Sequence, residues 1–425
     1  MPMNDIERFE PAQLVVDLRD LGLVQNELMN QRQITSVVEE ESKELDLALL
    51  KLPHLDTEIT ALWHDAKLVQ DAREDRRNWL KTFRDELKSG NATVDLADED
   101  LVVFALRQFF RHEYSGWSPT FDKHHHLDLL EGWPYHKGGI GHPGTVPHVD
   151  IPACSGRPGP RVGIADTAIL PHNDLVGRYV GDQLGKLPQP APPTAGHATF
   201  IAGLILQRAP DAELVVREVL GTDGVNRSSW NVAVKLMGFL HEDVSVLNMS
   251  FGCLVADSLP PLVLRRAVER LSRSMVLVAA AGNNGNLPGR TKAGVTAKTP
   301  AWPAAFDDVV AVGAYDPHDP EPLQAEFSPH LPLEDLLAPG VRVQSTYLSG
   351  KVRIYDRNDD TGEAEDQEPE TFDTPGYAVW DGTSFAAANV SGEIAARMAR
   401  SRMSAYEALD DLRKHPGDIM PFALT

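Results

Sequence analysis

The chain has 425 residues, 42% of them apolar, which is enough for a sizeable core and, by length, for two or three domains. Its formal charge of −22 and sequence pI near 5.0 exclude nucleic acid and an anionic membrane as main partners, because both would repel it. Two cysteines, Cys154 and Cys253, permit at most one bridge and show no metal-site spacing, unlike a disulfide-stapled secreted domain.

Residues 1–10 have neither a basic start nor an apolar segment, so they do not read as a signal peptide. No uninterrupted apolar run approaches the roughly 18 residues of a membrane span, and the expectation is a cytoplasmic protein with no membrane partner. Residues 1–55 read as a small α+β unit of βαβ type. Leu14, Val15 and Val16 are extended, 20–30 helical, and 34–38 and 45–52 extended again.

Residues 56–111 read as a helical region. Ile59, Leu62, Ala66 and Val69, then Leu80, Phe83 and Leu87, fall at three- and four-residue steps. They predict a long helix over about 58–87, with any break across the charged stretch 71–77 and an end near Ser89-Gly90. A second helix is expected over 100–112, with Leu101, Phe104, Ala105 and Phe109 apolar. Residues 112–160 turn to Gly, Pro, His and aromatic residues with little periodicity, which reads as an irregular linker or wrap. The run Lys123-His124-His125-His126 invites a metal, but three consecutive side chains rarely converge on one ion, so no metal site is expected.

From 161 to 425 apolar strand-like runs alternate with helix-like runs. Residues 162–165, 214–219, 244–249, 275–281 and 309–314 are strands, and 229–240 and 261–271 are helices between them. Such alternation implies an α/β domain with a mainly parallel sheet and sites at the carboxyl ends of the strands, where Asp166 and Asn283 fall. His197 opens a helix whose core face is Phe200, Ile201, Leu204 and Ile205. Ser384 lies in a turn led by Gly382 and precedes Ala386, Val390, Ile394 and Met398 at the four-residue step of another buried helix, so it sits at a helix N-terminus, which favours negative charge. A serine hydroxyl needs a general base to take its proton and the base needs an orienting acid, and Asp166, His197 and Ser384 occur in that chain order.

The stretches 161–168, 196–205 and 381–392 resemble the catalytic blocks of the subtilisin-like serine proteases, the subtilase or peptidase S8 family. Four more blocks match in order: 244–252, 279–285, 302–314 and 327–341. The resemblance runs from about Arg161 to about Met398. It implies a subtilisin-like three-layer domain over 161–425, behind a mostly helical, α+β N-terminal region, and a serine endopeptidase acting on peptide or protein substrates without a required cofactor. By that resemblance Ser384 is the nucleophile, His197 the base and Asp166 the orienting acid. The Asn283 side chain and the Ser384 backbone N–H would be the oxyanion donors. Ser250, Phe251 and Gly252 would line the cleft on one side and Ala280, Ala281 and Gly282 on the other. Asn284 would give the first specificity pocket no charge, so apolar side chains should fit it.

Members of that family commonly carry an N-terminal propeptide, which residues 1–55 match in pattern, and zymogen cleavage would fall between 112 and 160. The chain departs from the family at Ala168, Ala198 and Ala388, where glycine, glycine and proline are usual, and at Phe200, where histidine is usual. Every group that handles protons or charge is nonetheless present. Residues 355–374 form an acidic insertion. Its alternating Asp and Asn resemble the start of a calcium loop, but the glycine and terminal glutamate are misplaced, so a solvated loop is expected and calcium is the weaker alternative. Two further classes stay open: a maturation or effector protease activated by a regulatory partner, and a non-catalytic binding module on a protease fold.

Overall fold

Leucine- and valine-rich runs build the N-terminal sheet of this computed structural model, which describes residues 9–83, 96–128, 142–226, 228–255, 260–285, 299–319, 323–329, 336–357, 364–417 and 419. Strands β1 (Phe9–Asp17), β2 (Val37–Ser42), β3 (Leu47–Lys51) and β4 (Phe121–His125) lie in the order β2-β3-β1-β4 with every neighbouring pair antiparallel. β1 and β2 run alike, joined through helix α1 (Leu21–Asn26), but β3 lies between them. β2 begins later than the expected 34–38 strand, because Glu58 takes both the N–H and the hydroxyl of Thr35 at 2.6 and 2.7 Å and so keeps that N–H out of the strand ladder.

The long helix expected over 58–87 is three helices: α2 (Leu55–Glu58), α3 (Thr60–His64) and α4 (Ala66–Phe83). The last break falls at Asp65, whose carboxylate accepts the N–H groups of Lys67 and Leu68 at 3.1 and 3.0 Å, a local cap that competes with helix continuation. The charged stretch 71–77 stays helical. The expected end at Ser89-Gly90 lies outside the described residues. α5 (Asp98–Glu113) matches its expected span closely.

The segment expected to be irregular supplies three strands: β4, β5 (Leu127–Asp128) and β6 (Gly144–Thr145). β4 is buried at every position, so it carries no polar–apolar alternation by which a strand is recognised.

The larger half is built on β7 (Arg161–Asp166), β8 (Tyr179–Gly181), β9 (Glu213–Glu218), β11 (Val246–Met249), β12 (Val276–Ala280), β13 (Val309–Tyr315) and β14 (Leu336–Pro339). The short β10 (Val225–Asn226) lies outside that sheet, paired antiparallel with β5. The seven strands lie in the order β14-β13-β12-β11-β7-β9-β8, all parallel. Alternate residues face opposite sides. Val162, Ile164, Val246 and Val278 pack with α6 (His197–Arg208) and α9 (Thr383–Ser401), whereas Ala165, Leu247, Met249 and Leu277 pack with α7 (Ser229–Met237) and α8 (Leu262–Leu271). This is a three-layer α/β fold.

β15 (Val343–Tyr347), β16 (Gly350–Arg357), β17 (Ala364–Phe372) and β18 (Gly376–Trp380) precede α9, and α10 (Ala405–Lys414) follows it. The acidic insertion is not a plain loop: β16 and β17 form an antiparallel hairpin seated by the buried Val352 and Ile354. Asn358 and Asp360 of the alternating Asp and Asn that suggested calcium lie outside the described residues. β6 pairs antiparallel with β18.

Val15, Leu45, Leu47 and Leu49 of the N-terminal sheet join the same apolar cluster as α7 and α8. At its edge the Asp122 carboxylate accepts the Leu262 N–H at 3.0 Å, and Arg266 and Arg270 of α8 pair with Asp17 and Asp46. Among the described residues no helix is long and apolar enough to cross a membrane.

Candidate active site

The site forms where β7, α6, α9 and the loop after β12 meet at the carboxyl end of the sheet. β7 ends on Asp166, which is fully buried, with its backbone carbonyl accepting the N–H groups of Val219 and Leu220. His197 is the first residue of α6, and its Nδ1 lies 2.8 and 2.9 Å from the two carboxylate oxygens of Asp166. A carboxylate only accepts, so Nδ1 carries a proton, and in the neutral imidazole the lone pair is on Nε2. The Thr167 hydroxyl accepts the Ala198 N–H at 3.2 Å and ties the end of β7 to the start of α6.

Ser384 is the second residue of α9 and is 4% exposed, among the first-turn N–H groups that a helix leaves without internal partners. The ring of Phe385, the next residue, lies 5.4 Å from the His197 ring, and Trp380 lies 5.8 Å from it. The residue after the serine therefore packs against the histidine ring. Among the described residues no hydrogen bond joins Ser384 Oγ to His197 in this conformation.

Asn283 follows β12 by three residues. Its Oδ1 accepts the N–H of Thr383 at 3.0 Å and lies 3.0 Å from the Thr383 hydroxyl. A backbone N–H can only donate, which fixes the side-chain amide with its carbonyl towards Thr383 and its NH2 end turned the other way. The same hydroxyl lies 3.1 Å from the Gly282 carbonyl, so its single proton serves one of these two acceptors at a time. Thr383, unremarked in the sequence, thus fastens the asparagine block to the serine turn.

The other expected cleft residues are placed unequally. Ser250 touches the serine turn directly, donating its hydroxyl to the Ser384 carbonyl at 3.1 Å. The Phe251 ring is fully buried in the apolar cluster beneath α7 and α8, so only its backbone can face the cleft. Gly252, Ala280, Ala281 and Gly282 are buried, and Asn284 is 4% exposed with its amide donating to the Thr299 carbonyl at 3.2 Å.

Asn248 and Ser391 escaped the sequence reading although they stand behind Ser250. A usable signal existed for the first, an amide inside the apolar run Val246-Leu247-Asn248-Met249, where a buried polar group must find partners. Departures from the family pattern are filled, not left open. Phe200 occupies a fully buried position 4.5 Å from Phe385 and 6.0 Å from Trp380, measured between ring centres.

Neither cysteine is bridged. The histidine run is engaged piecewise: His124 bonds to Gln13, Ser228 and Trp230, His125 lies 3.4 Å from Asp122, and His126 lies 3.2 Å from Glu10.

A family model described as the subtilase family matches residues 157–413. Subtilisin BL of Lederbergia lenta is 33% identical over 223 residues, 48% of this chain and 74% of that protein. The thermostable alkaline protease of Halalkalibacterium halodurans is 30% identical over 258 residues, 58% of each chain. Among solved structures, fervidolysin from Fervidobacterium pennivorans, described as a keratinolytic enzyme related to subtilisin, superposes with a TM-score of 0.54 over 96% of this chain and 57% of its own length. At 16% identity that likeness concerns the fold alone. With the family match spanning well over half of its length, the seven-stranded parallel sheet, and relatives named as subtilisins and alkaline proteases, the chain belongs to the subtilase family of serine endopeptidases.

Proposed function

We propose that Asp166, His197 and Ser384 hydrolyse peptide bonds, with the Asn283 amide and the Ser384 N–H receiving the oxyanion. Ser384 Oγ attacks the peptide carbonyl while His197 Nε2 takes its proton. The imidazolium, held by Asp166, gives that proton to the leaving amine, and water then repeats the sequence on the acyl-enzyme. Donors fixed before charge develops are the largest contribution to such a reaction, and the anchored carbonyl of Asn283 favours that role for its NH2 end. The carrying observation is the buried His197–Asp166 pair beside a serine at a helix N-terminus.

The N-terminal region supports a regulated form of this reading. Its sheet shares a core with α7 and α8, and β5 pairs antiparallel with β10. The Thr194 hydroxyl, three residues before His197, donates to the Thr222 carbonyl in the loop leading to β10. The N-terminal half therefore reaches the flank of the site in the manner of an added strand, consistent with a propeptide that restrains the enzyme.

Intact-mass labelling with a fluorophosphonate tests both points. Labelling that disappears in Ser384→Ala supports the triad, and labelling that appears only after limited proteolysis between 112 and 160 supports latency. A folded, cleaved protein that never labels overturns the protease reading.

A further inference from the structure

Ser384 and Ser391 lie two turns apart on α9. The Ser391 side chain is connected to the Ser384 carbonyl through two further buried polar side chains, Asn248 and Ser250. Ser391 Oγ lies 3.1 Å from Asn248 Oδ1, Asn248 Nδ2 lies 2.8 Å from Ser250 Oγ, and Ser250 Oγ lies 3.1 Å from the Ser384 carbonyl. Ser391, Asn248 and Ser250 are each fully buried. The direction of every bond is fixed. A carbonyl only accepts, so the Ser250 hydroxyl donates to it; Ser250 then accepts from the Asn248 amide, and the Asn248 carbonyl is left to accept from Ser391.

The bond to Ser384 is not needed to satisfy its carbonyl, because the α-helical pattern already offers that oxygen the Ala388 N–H. A second donor on a served carbonyl restricts orientation. On the other flank Asn283 Oδ1 holds the N–H of Thr383. The peptide unit that follows the serine and the one that precedes Thr383 are thus gripped from the ends of two adjacent strands. Burying three side chains of this kind is unfavourable unless all are paired, so the arrangement is specific to a fully connected chain.

We propose that Ser391, Asn248 and Ser250 form a positioning relay that fixes the backbone of Ser384 and so aims its hydroxyl at His197 and its N–H at the oxyanion. The relay rests on the protease reading for its purpose, but its mechanical part is independent of it. None of the three touches substrate through its side chain; they act through Ser384.

The test compares the full chain with Ser250→Ala, Ser391→Ala and the double variant. It reads the fluorophosphonate labelling rate, kcat and KM on a fluorogenic peptide, and amide hydrogen exchange of the segment 382–390. Labelling and kcat should fall about tenfold in Ser250→Ala and about threefold in Ser391→Ala, with KM within about twofold, as expected for an effect expressed in the reaction and not in binding. The double variant should match Ser250→Ala alone, because links in series do not add. Exchange of 382–390 should quicken in all three. Independent, additive losses, or wild-type labelling and exchange in Ser250→Ala, would overturn the relay. If Ser250→Ala does not fold, Ser391→Ala decides by the same readings. If the wild-type chain labels only after limited proteolysis between 112 and 160, the same comparison is made on the cleaved proteins; if the folded, cleaved wild type never labels, the protease reading fails instead, and exchange alone decides: unchanged protection of 382–390 in the variants sinks the relay.

Discussion

His124 Nε2 accepts the backbone N–H of Trp230 at 3.2 Å, so a side chain of the N-terminal sheet closes the first turn of α7 in the other half of the chain. Its Nδ1 is bonded to Gln13 Oε1 at 2.5 Å, which fixes the neutral tautomer with the proton on Nδ1. A second proton on Nε2 would face the Trp230 N–H and the positive end of a helix.

Burial, then the neighbouring His125 and His126, push the His124 pKa down from 6.5 to about 4. Around it, Gln13, Ser228 and Trp230 are neutral, while His125 and His126 face Asp122 and Glu10. The folded pKa lies below the free value, so the unfolded or undocked state binds the extra proton between the two. Stability is complete above pH 6.5 and falls as pH drops towards 4, by up to about 3 kcal/mol. A thermal-denaturation series from pH 7 to pH 4 should show this decline, and His124→Gln, which can accept the same N–H without titrating, should flatten it. An identical decline in that variant would rule His124 out as the cause.

Two arginines of α8 hold the N-terminal sheet with different strengths. Arg266 meets a fully buried Asp17, whose other partner, Arg19, is 80% exposed on its side chain. Removing Arg266 leaves the buried carboxylate to Arg19 alone, through its backbone N–H at 3.0 Å and its guanidinium at 3.2 Å, and Arg266→Ala should destabilise the chain by about 1–2 kcal/mol in urea unfolding. Arg270 pairs with the half-exposed Asp46, so Arg270→Ala should cost under about 1 kcal/mol. Equal losses would contradict the ranking.

Asn283→Asp keeps the oxygen that receives Thr383 and replaces the donating NH2 with an acceptor. If the amide serves the oxyanion, labelling and kcat should fall by about 10²–10³ with the fold intact. Near-normal turnover would exclude that role.

The backbone before His197 has no room for a side chain. A Cβ on Gly196 would lie 2.2 Å from the Tyr347 ring, which is itself anchored by a 2.6 Å hydrogen bond from its hydroxyl to the Pro193 carbonyl. Gly196→Ala should therefore cost about 1–3 kcal/mol and slow labelling by displacing His197. A variant as stable and as reactive as wild type would show that the loop yields freely.

The sequence by itself determined the α/β layering, because five strand-like apolar runs separated by helical runs have few other ways to be buried. It also determined which strand ends and helix starts present Asp166, His197, Asn283 and Ser384, because those positions follow from local periodicity. Only the tertiary structure decided what depends on partners distant in sequence. β4 is recognisable only once both its faces are covered, and the acidic insertion becomes a hairpin because Val352 and Ile354 find a core to enter. His124, which by composition suggested a metal, caps a helix 106 residues away, and Ser250 is spent on the Ser384 carbonyl 134 residues away. Periodicity reports which side of an element is buried. The partner a buried polar atom meets there is set by packing between elements, which no local pattern encodes.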